Sequence, residues 1–190
     1  MDRPFLTDSR ELRRRARSHM EEGAVTEGYR ADRETVLRLL NEALAMEIVC
    51  VLRYKRHYYM TAGIHAQAVA AECLEHANEE QGHADLIAER IVQLGGAPDL
   101  NPGGFLGRSH SEYVEGEDLI GMIREDLVAE RIAVDSYREM IEYLGDDDPT
   151  TRRRLEEILA TEEGHAEDLR MLIDALSRDE RRALRESGRS

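Results

Sequence analysis

The sequence predicts an all-α protein whose body is a four-helix bundle with one long crossover between its second and third helices. Apolar residues recur at spacings of three and four in four long segments, which is the period of an amphipathic helix. The composition agrees, because Leu, Ala, Glu and Arg are abundant, tryptophan is absent and only four prolines occur in 190 residues. A chain of this length suits a single domain with one core.

Each predicted helix is bounded by residues that favour helix ends. The four helices are expected over residues 32–60, 64–94, 117–144 and 149–176. Gly63, Gly95 and Gly145 follow the first three, and glycine commonly ends a helix. Asp148 is expected to cap the fourth helix, with Pro149 in its first turn.

The lengths of the connections predict how the helices are arranged. The first and second helices are joined by a tight turn, as are the third and fourth, so each pair is antiparallel. The link over residues 95–116 is long enough to run the length of the bundle and to start the third helix parallel to the second. The chain is then divided into an N-terminal extension (1–31), the bundle (32–176) and a C-terminal part (177–190). The extension contains an amphipathic segment over residues 7–22, and the C-terminal part contains a short helix over residues 177–187.

The charge distribution bears on the partners of the protein. A net charge of −14 argues against a surface that binds nucleic acid as a whole and suits a protein that attracts cations. Basic residues cluster at both ends, interleaved with acids such as Glu11, Asp179 and Glu180. We interpret these clusters as solvated helix faces with ion pairs, and DNA contact is the alternative. Their members are Arg10, Arg13, Arg14, Arg15 and Arg17 at one end and Arg178, Arg181, Arg182, Arg185 and Arg189 at the other.

Further features predict a cytoplasmic protein. Cys50 and Cys73 are far apart in the sequence and lie among apolar residues, which indicates reduced core thiols rather than a disulfide. The first residues are charged and offer no apolar signal core, and no apolar stretch approaches the length of a membrane span.

One glutamate interrupts the apolar stripe of each predicted helix. The first and third helices share the pattern Leu-x-x-Glu-x-x-x-Val-x-x-Tyr, with Glu47 and Tyr54 in one copy and Glu130 and Tyr137 in the other. The stripes of the second and fourth helices carry Glu80 and Glu162, each followed three residues later by a histidine on the same face, His83 and His165.

The duplication makes this pattern informative. In a chain so rich in glutamate, a single Glu-x-x-His carries little information. Here the glutamate of the first helix precedes that of the second by 33 positions, and the glutamate of the third precedes that of the fourth by 32. The tyrosines recur in step with them. We therefore assign Glu80 and Glu162 rather than Glu79 and Glu163 to the buried set, because only the former keep the same spacing to their histidines.

Four carboxylates on apolar stripes require positive charge. An unpaired buried carboxylate costs several kcal/mol, and four that converge also repel one another. Two divalent cations balance the four charges, and two imidazoles add neutral ligands suited to iron, manganese or zinc. One Glu from each of two helices and one Glu-x-x-His from each of the others is the ligand set of di-iron and di-manganese bundles. The predicted ligands are Glu47, Glu80, His83, Glu130, Glu162 and His165.

Other polar residues near these stripes are given different roles. Tyr54 and Tyr137 lie two turns from Glu47 and Glu130, where each is either a plain core tyrosine or a hydrogen-bond donor to a ligand carboxylate. The histidines outside the repeated pattern are expected to have surface or capping roles. These are His57, His65, His76 and His110.

The chain resembles the bacterioferritins and their relatives in the ferritin superfamily over roughly residues 35–176. The resemblance rests on Leu40-Asn-Glu-Ala-Leu-Ala-Met-Glu47, Glu79-Glu-Gln-Gly-His-Ala-Asp85 and Glu157-Ile-Leu-Ala-Thr-Glu-Glu-Gly-His165. It implies a ferritin-like fold in which Glu80 and Glu162 bridge two irons, Glu47 and Glu130 are terminal ligands, and the two histidines complete the sites. It also implies ferroxidase activity and a hollow cage in which iron(III) mineral collects.

Two departures from the bacterioferritins qualify the resemblance. Haem-binding members have Met directly after the ligand glutamate of the second helix, whereas this chain has Gln81, so we expect no haem. The N-terminal extension looks more like the starvation-induced DNA-protection proteins, which form twelve-subunit cages. The homo-oligomer is therefore expected to have either twelve or twenty-four subunits.

These features predict oxidation of iron(II) by dioxygen or peroxide for iron storage or detoxification. One alternative is another redox enzyme on the same ligand set, namely a manganese catalase or a rubrerythrin-like peroxidase. Rubrerythrins usually add a cysteine-rich iron domain that this chain lacks. An alternative of another class is a DNA-protecting cage protein that acts through the Arg-rich ends.

Overall fold

The computed structural model describes residues 8–61 and 66–187, the side chains of residues 66 and 179–187 excepted. It confirms the predicted all-α bundle. The helices are α1 (Ser9–Arg15), α2 (Arg33–Met60), α3 (Ala66–Gln93), α4 (Phe105–Arg108), α5 (Leu119–Leu144) and α6 (Pro149–Ser187), with short 3₁₀ turns at Met20–Glu22 and Pro102–Gly104.

Four of these helices form the bundle, and they pack most closely as the pairs α2 with α3 and α5 with α6. Across the pairs, Glu47 lies opposite Tyr137 and Tyr54 lies opposite Glu130. The reversed order of the contacts makes α2 and α5 antiparallel. Since α3 runs antiparallel to α2, it is parallel to α5, and the crossover between them spans the bundle with α4 packed on α2. This is the predicted arrangement with one long crossover.

The apolar core has two parts with a polar layer between them. Val36, Leu40, Ile87 and Ile91 belong to one cluster of buried side chains. Cys50, Tyr54, Val69, Cys73 and Leu169 belong to the other. Each fully buried aliphatic side chain contributes roughly 1.5–3 kcal/mol, so the two clusters supply the stability that lets polar residues stay buried between them.

Asp148 joins three parts of the chain in a buried cluster. It caps α6 as predicted, because its Oδ1 accepts from the backbone N–H of Thr151 at 2.9 Å. It also accepts from Arg90 at the end of α3 at 3.0 Å and from the hydroxyl of Tyr29 at 3.0 Å. These bonds outweigh the effect of burial and lower the pKa of Asp148. The Asp148 carboxylate therefore links the N-terminal extension, α3 and α6 through hydrogen bonds and an ion pair.

The two ends of the chain differ in part from expectation. The separate helix predicted after Leu176 is wrong, because α6 continues without a break to Ser187. The predicted amphipathic segment over residues 7–22 contains the single helix α1 and a 3₁₀ turn, and residue 7 lies outside the described residues. The predicted turn at residues 62–65 and the side chains of the last arginines lie outside them as well. Within the described ranges, no helix combines the length and apolar character needed to cross a membrane.

The first prediction concerns the buried Asp148 cluster. Replacing Asp148 by Ala removes the cap of α6 and leaves the Arg90 guanidinium buried without its partner, so the subunit is expected to lose roughly 3–5 kcal/mol of stability. Because the pKa of Asp148 is lowered in the fold, its contribution is present above its ordinary value of 3.8 and is lost as the pH falls below it. Denaturant unfolding at a fixed subunit concentration measures both effects.

Asp146→Ala is the matched control. Asp146 lies two residues away, and its side chain is 89% exposed while it pairs with Arg152. An exposed pair of this kind contributes at most about 1 kcal/mol. Equal losses in the two variants would show that the Asp148 cluster has no special role.

Candidate metal centre

The six predicted ligands come together in the polar layer between the two apolar clusters. Each is at least nine-tenths buried, with exposed fractions from 0% for Glu162 to 7% for His83. Their ligand atoms form two groups in which all atoms lie within 4.8 Å of one another. One group comprises Glu47, Glu80, His83 and Glu162, and the other Glu80, Glu130, Glu162 and His165.

Glu80 and Glu162 belong to both groups, whereas each group has one glutamate and one histidine of its own. This division follows from the sequence, because α3 and α6 each supply a Glu-x-x-His while α2 and α5 supply one glutamate each. The two shared carboxylates lie where a bridging ligand between two ions would lie. The geometry thus suits two adjoining cations rather than one.

The atoms that face the centre of this cluster lack hydrogen bonds. Among the described residues, seven nitrogen and oxygen atoms of the six side chains are buried without a hydrogen-bond partner. They are nevertheless close together: His83 Nδ1 lies 2.9 Å from Glu162 Oε1 and 3.4 Å from Glu47 Oε2. Buried polar atoms are ordinarily hydrogen-bonded, so a set that converges without such bonds is a donor set for cations. The residues present therefore fit a pair of metal ions.

The pKa values in the cluster reflect an excess of negative charge. Burial raises the pKa of Glu47 and the neighbouring Glu80 raises it further. The pKa of Glu162 rises to about 8, first through burial and then through Glu47 and Glu130. Burial acts against the charge of His83, yet the carboxylates around it raise its pKa to about 12. The cluster thus takes up protons, and metal ions that bind there must displace them.

Two tyrosines orient the two glutamates that belong to a single group. Tyr137 of α5 donates to Oε1 of Glu47 on α2, and Tyr54 of α2 donates to Oε1 of Glu130 on α5. In each glutamate the other oxygen, Oε2, faces the cluster without a hydrogen bond. Burial raises the pKa of both tyrosines, so they remain protonated donors. Each tyrosine therefore leaves one carboxylate oxygen free for a metal.

Glu79 holds His165 in position. Its Oε2 lies 2.6 Å from Nε2 of His165, while Nδ1 of the same ring faces the cluster 3.4 Å from Glu80. A carboxylate on the outer nitrogen fixes the tautomer and the orientation of a ligating histidine. Glu79 lies outside both four-residue groups. Glu163, the other rival in the sequence, pairs with the exposed Arg138 at 2.5 Å.

The expected surface or capping role is wrong for His57, which is fully buried. Its Nδ1 lies 2.8 Å from Asp126, and Asp126 also accepts from Arg53 at 2.8 Å. Arg53 in turn donates to the backbone oxygen of Glu112 in the crossover at 3.0 Å. The sequence carries no local signal for this network, because each of its contacts joins α2 to a residue more than fifty positions away.

The same expectation is wrong for His76, which is 2% exposed. Its ring stacks on that of His165 with the centroids 3.9 Å apart, and its Nδ1 lies 3.2 Å from the hydroxyl of Tyr54. Burial and the neighbouring His165 lower the pKa of His76 to about 4. A signal was present in the sequence, since His76 precedes Glu80 by one helical turn and so shares its face.

The two remaining histidines of that set are His110 and His65. His110 is exposed and contacts the hydroxyl of Ser136 at 2.9 Å, which agrees with the expected surface role. His65 lies outside the described residues.

Comparisons with known proteins agree with this architecture. The model of the ferritin-like domain family matches residues 37–179. The bacterioferritin of Brucella melitensis biotype 1 is 31% identical over 146 residues, which cover 75% of this chain and 85% of that protein. The solved structure of the bacterioferritin of Rhodobacter capsulatus is 29% identical with a TM-score of 0.69, and the match covers 78% of this chain and 89% of that chain. That structure has a metal-free dinuclear site and a haem iron.

A solved dodecameric structure is similar as well. It is a thioferritin, the bacterioferritin-related protein of Bacteroides fragilis, and is 29% identical with a TM-score of 0.77, covering 80% of this chain and 92% of that chain. The Dps protein of Thermosynechococcus elongatus has a TM-score of 0.71 at 22% identity, covering 74% of this chain and 90% of that chain, which shows a shared fold.

The second prediction concerns Glu79. Replacing it by Gln removes the carboxylate that holds His165, so binding of cations to the cluster is expected to weaken by about 10–100-fold. Equilibrium dialysis against Zn²⁺ measures the change. The matched control is Glu163→Gln, which makes the same substitution at the rival glutamate of α6. An affinity that falls equally in both variants, or in neither, contradicts the proposed role of Glu79.

Proposed function

Because the chain belongs to the ferritin-like family, we propose that it is a ferroxidase that oxidises iron(II) at the six-residue cluster and stores iron(III) as mineral. The observation that carries the proposal is the pair of four-residue groups sharing Glu80 and Glu162. Four carboxylates balance the charge of two iron(II) ions, and one imidazole belongs to each group. Two iron(II) ions are therefore bound side by side as substrates.

The reaction follows from the presence of two substrate ions. Each iron(II) loses one electron, and two electrons with two protons reduce dioxygen to hydrogen peroxide. When peroxide is the oxidant, two electrons and two protons convert it to two water molecules. Removal of the electrons as a pair avoids one-electron oxygen radicals. The protein's part is to hold two ions together in a dry environment and to orient the carboxylates through Tyr54 and Tyr137.

The protons displaced by iron have an evident origin. Burial raises the pKa of Glu162 and the surrounding carboxylates raise that of His83, which favours the protonated forms of both side chains before a cation binds. Iron(II) replaces them as the source of positive charge, and the protons leave.

Storage requires an assembly, and we propose a homo-oligomeric cage. Large apolar side chains are exposed on the outward faces of the bundle, where water would surround them in a single subunit. They are Leu52, Tyr59, Met60, Val92, Val128 and Tyr143. Copies of this chain would cover such residues on assembly. A cage of either twelve or twenty-four subunits is compatible with this proposal, and we propose that it works in the cytoplasm.

We also propose that the chain binds no haem in the bacterioferritin manner. The thioether that would ligate haem iron is replaced by the amide of Gln81. This amide donates to Asp85 one turn further along α3, at 3.0 Å. An amide is a poor substitute for the soft sulfur of methionine on haem iron.

Two of the five N-terminal arginines have acidic partners within the subunit, which weakens the case for DNA shielding. Arg14 and Arg15 of α1 each lie 2.8 Å from Glu11, and Arg14 also lies 3.3 Å from Glu27. Their charges are thus largely matched within the subunit. These ion pairs agree with the interpretation of the N-terminal cluster as a solvated helix face.

The third prediction tests the proposed centre directly. In an anaerobic titration, iron(II) is expected to bind at about two ions per chain, the capacity of one such dinuclear ligand set. The double variant Glu47→Gln, Glu130→Gln is expected to lose this binding and to oxidise iron(II) more than about tenfold slower. Loss of an outer-shell partner alone has an effect of that size. The fold should persist, because the substitutions remove repelling buried charges.

Glu34→Gln combined with Glu139→Gln is the matched control, since it makes the same changes at exposed positions of α2 and α5. Stopped-flow absorbance measures the oxidation rate, and circular dichroism checks the helices. A Glu47 and Glu130 variant that oxidises iron(II) at the wild-type rate excludes the proposed centre. Manganese as the native metal, together with oxygen evolution from peroxide, would identify a catalase instead.

A further inference from the structure

A second set of possible ligands lies beside the six-residue cluster and includes none of its members. Glu72 and His76 are one turn apart on α3 and share a face, and Asp168 of α6 faces them. One ligand atom from each of these three residues lies within 4.8 Å of the other two. Two carboxylates and an imidazole from neighbouring helices thus point at a common position.

The hydrogen bonds of His76 leave one ring nitrogen for a ligand. Its Nδ1 lies 3.2 Å from the hydroxyl oxygen of Tyr54, and that hydroxyl donates its own proton to the carboxylate of Glu130. The Tyr54 oxygen therefore acts as acceptor, and Nδ1 carries the ring proton. The bond made by one ring nitrogen determines the state of the other, so Nε2 presents a lone pair.

That lone pair faces the carboxyl group of Glu72, with Asp168 beside it. His76 Nε2 lies 3.3 Å from Oε1 of Glu72. Burial raises the pKa of Glu72, and the carboxylate of Asp168 raises it further. Among the described residues, neither Glu72 nor Asp168 forms an ion pair with a lysine or an arginine. A lone pair and two carboxylates that converge without a basic side chain form a ligand set suited to a cation.

We propose that Glu72, His76 and Asp168 form a mononuclear site for a divalent transition-metal ion, separate from the dinuclear pair. One nitrogen and two oxygen ligands suit iron(II), zinc or manganese(II), ions of intermediate softness. Three protein ligands leave positions open for water, as in sites that exchange their ligands.

The placement of this site suggests what it does. The Glu72 side chain is 30% exposed, whereas that of His76 is 3% exposed and its ring stacks on His165. His76 also belongs to a second group of possible ligands, with Glu130 and His165. The donor atoms thus form a continuous series from solvent to the dinuclear cluster. We infer that the mononuclear site holds incoming iron(II) before the ion passes to Glu130 and His165. This part of the inference rests on the proposed ferroxidase function.

The fourth prediction concerns occupancy of the mononuclear site. Equilibrium dialysis of the assembled protein against Zn²⁺ counts the ions bound per chain. Glu72→Gln and Asp168→Asn are each expected to weaken binding of one ion by at least about tenfold, the lower limit for loss of even an outer-shell partner. Glu75→Gln and Glu167→Gln are the controls, because they make comparable changes at exposed neighbouring positions. Equal zinc binding in all four variants and the wild type overturns the site.

This design tests the dinuclear pair and the mononuclear site independently of each other. The Glu47 and Glu130 double variant should lose two ions and keep the third, whereas Asp168→Asn should lose the third and keep the pair. If the double variant loses no ions, the dinuclear assignment is wrong, while the result for Asp168→Asn still decides on the mononuclear site.

The role in iron supply has its own measurement. In steady-state iron(II) oxidation, Asp168→Asn and Glu72→Gln are expected to raise KM several-fold and to leave kcat unchanged, because they affect delivery and not the oxidising centre. An unchanged KM in variants that have lost the third zinc ion overturns the supply role. A fall in kcat alone overturns it as well, since it indicates a disturbed dinuclear centre.

Discussion

The convergence of four glutamates inside an apolar bundle is the constraint on which the rest of this structure depends. Each buried carboxylate costs several kcal/mol without a partner, and together they repel. The protein compensates for part of this cost in two ways. Tyr54 and Tyr137 each satisfy one oxygen through a hydrogen bond, and the apolar clusters on both sides supply the stability that keeps the layer closed. The remaining oxygens face inward, where the two histidines, bound protons or cations can compensate their charge.

The two helix pairs repeat the same sequence pattern, and a comparison of equivalent positions shows where they differ. In the half formed by α5 and α6, the residues at the positions of Glu72 and His76 are Arg154 and Ile158. The position that corresponds to Asp168 in the half formed by α2 and α3 is Leu86. The mononuclear site therefore exists on one side only, beside Glu130 and His165. Symmetry accounts for the six-residue cluster, and departures from symmetry account for the proposed mononuclear site beside it.

The sequence predicted the bundle and the six converging residues because both depend on periodicity. A three-four spacing tells which face of a helix is buried, and its repetition in two halves tells which polar residues share a layer. Periodicity does not tell which partner lies across the interface, so the contact between Glu79 and His165 was not foreseen. Burial of His57 was missed for the same reason. The predicted break after Leu176 was wrong because Ser177 is too weak a helix breaker to end α6.

The crossover is tied to the centre by charge rather than by apolar packing alone. Arg53 and Asp126 are both buried, and a buried ion pair is acceptable only when its remaining donors are satisfied. The crossover satisfies them, because Arg53 donates to the backbone oxygen of Glu112 and the His57 ring contacts that of Glu115. Arg53 adjoins Tyr54 in the sequence, and Asp126 lies one turn before Glu130. Displacement of the crossover would leave polar groups of Arg53 and His57 without acceptors next to Tyr54 and Glu130, so the long connection helps to fix the geometry of the six-residue cluster.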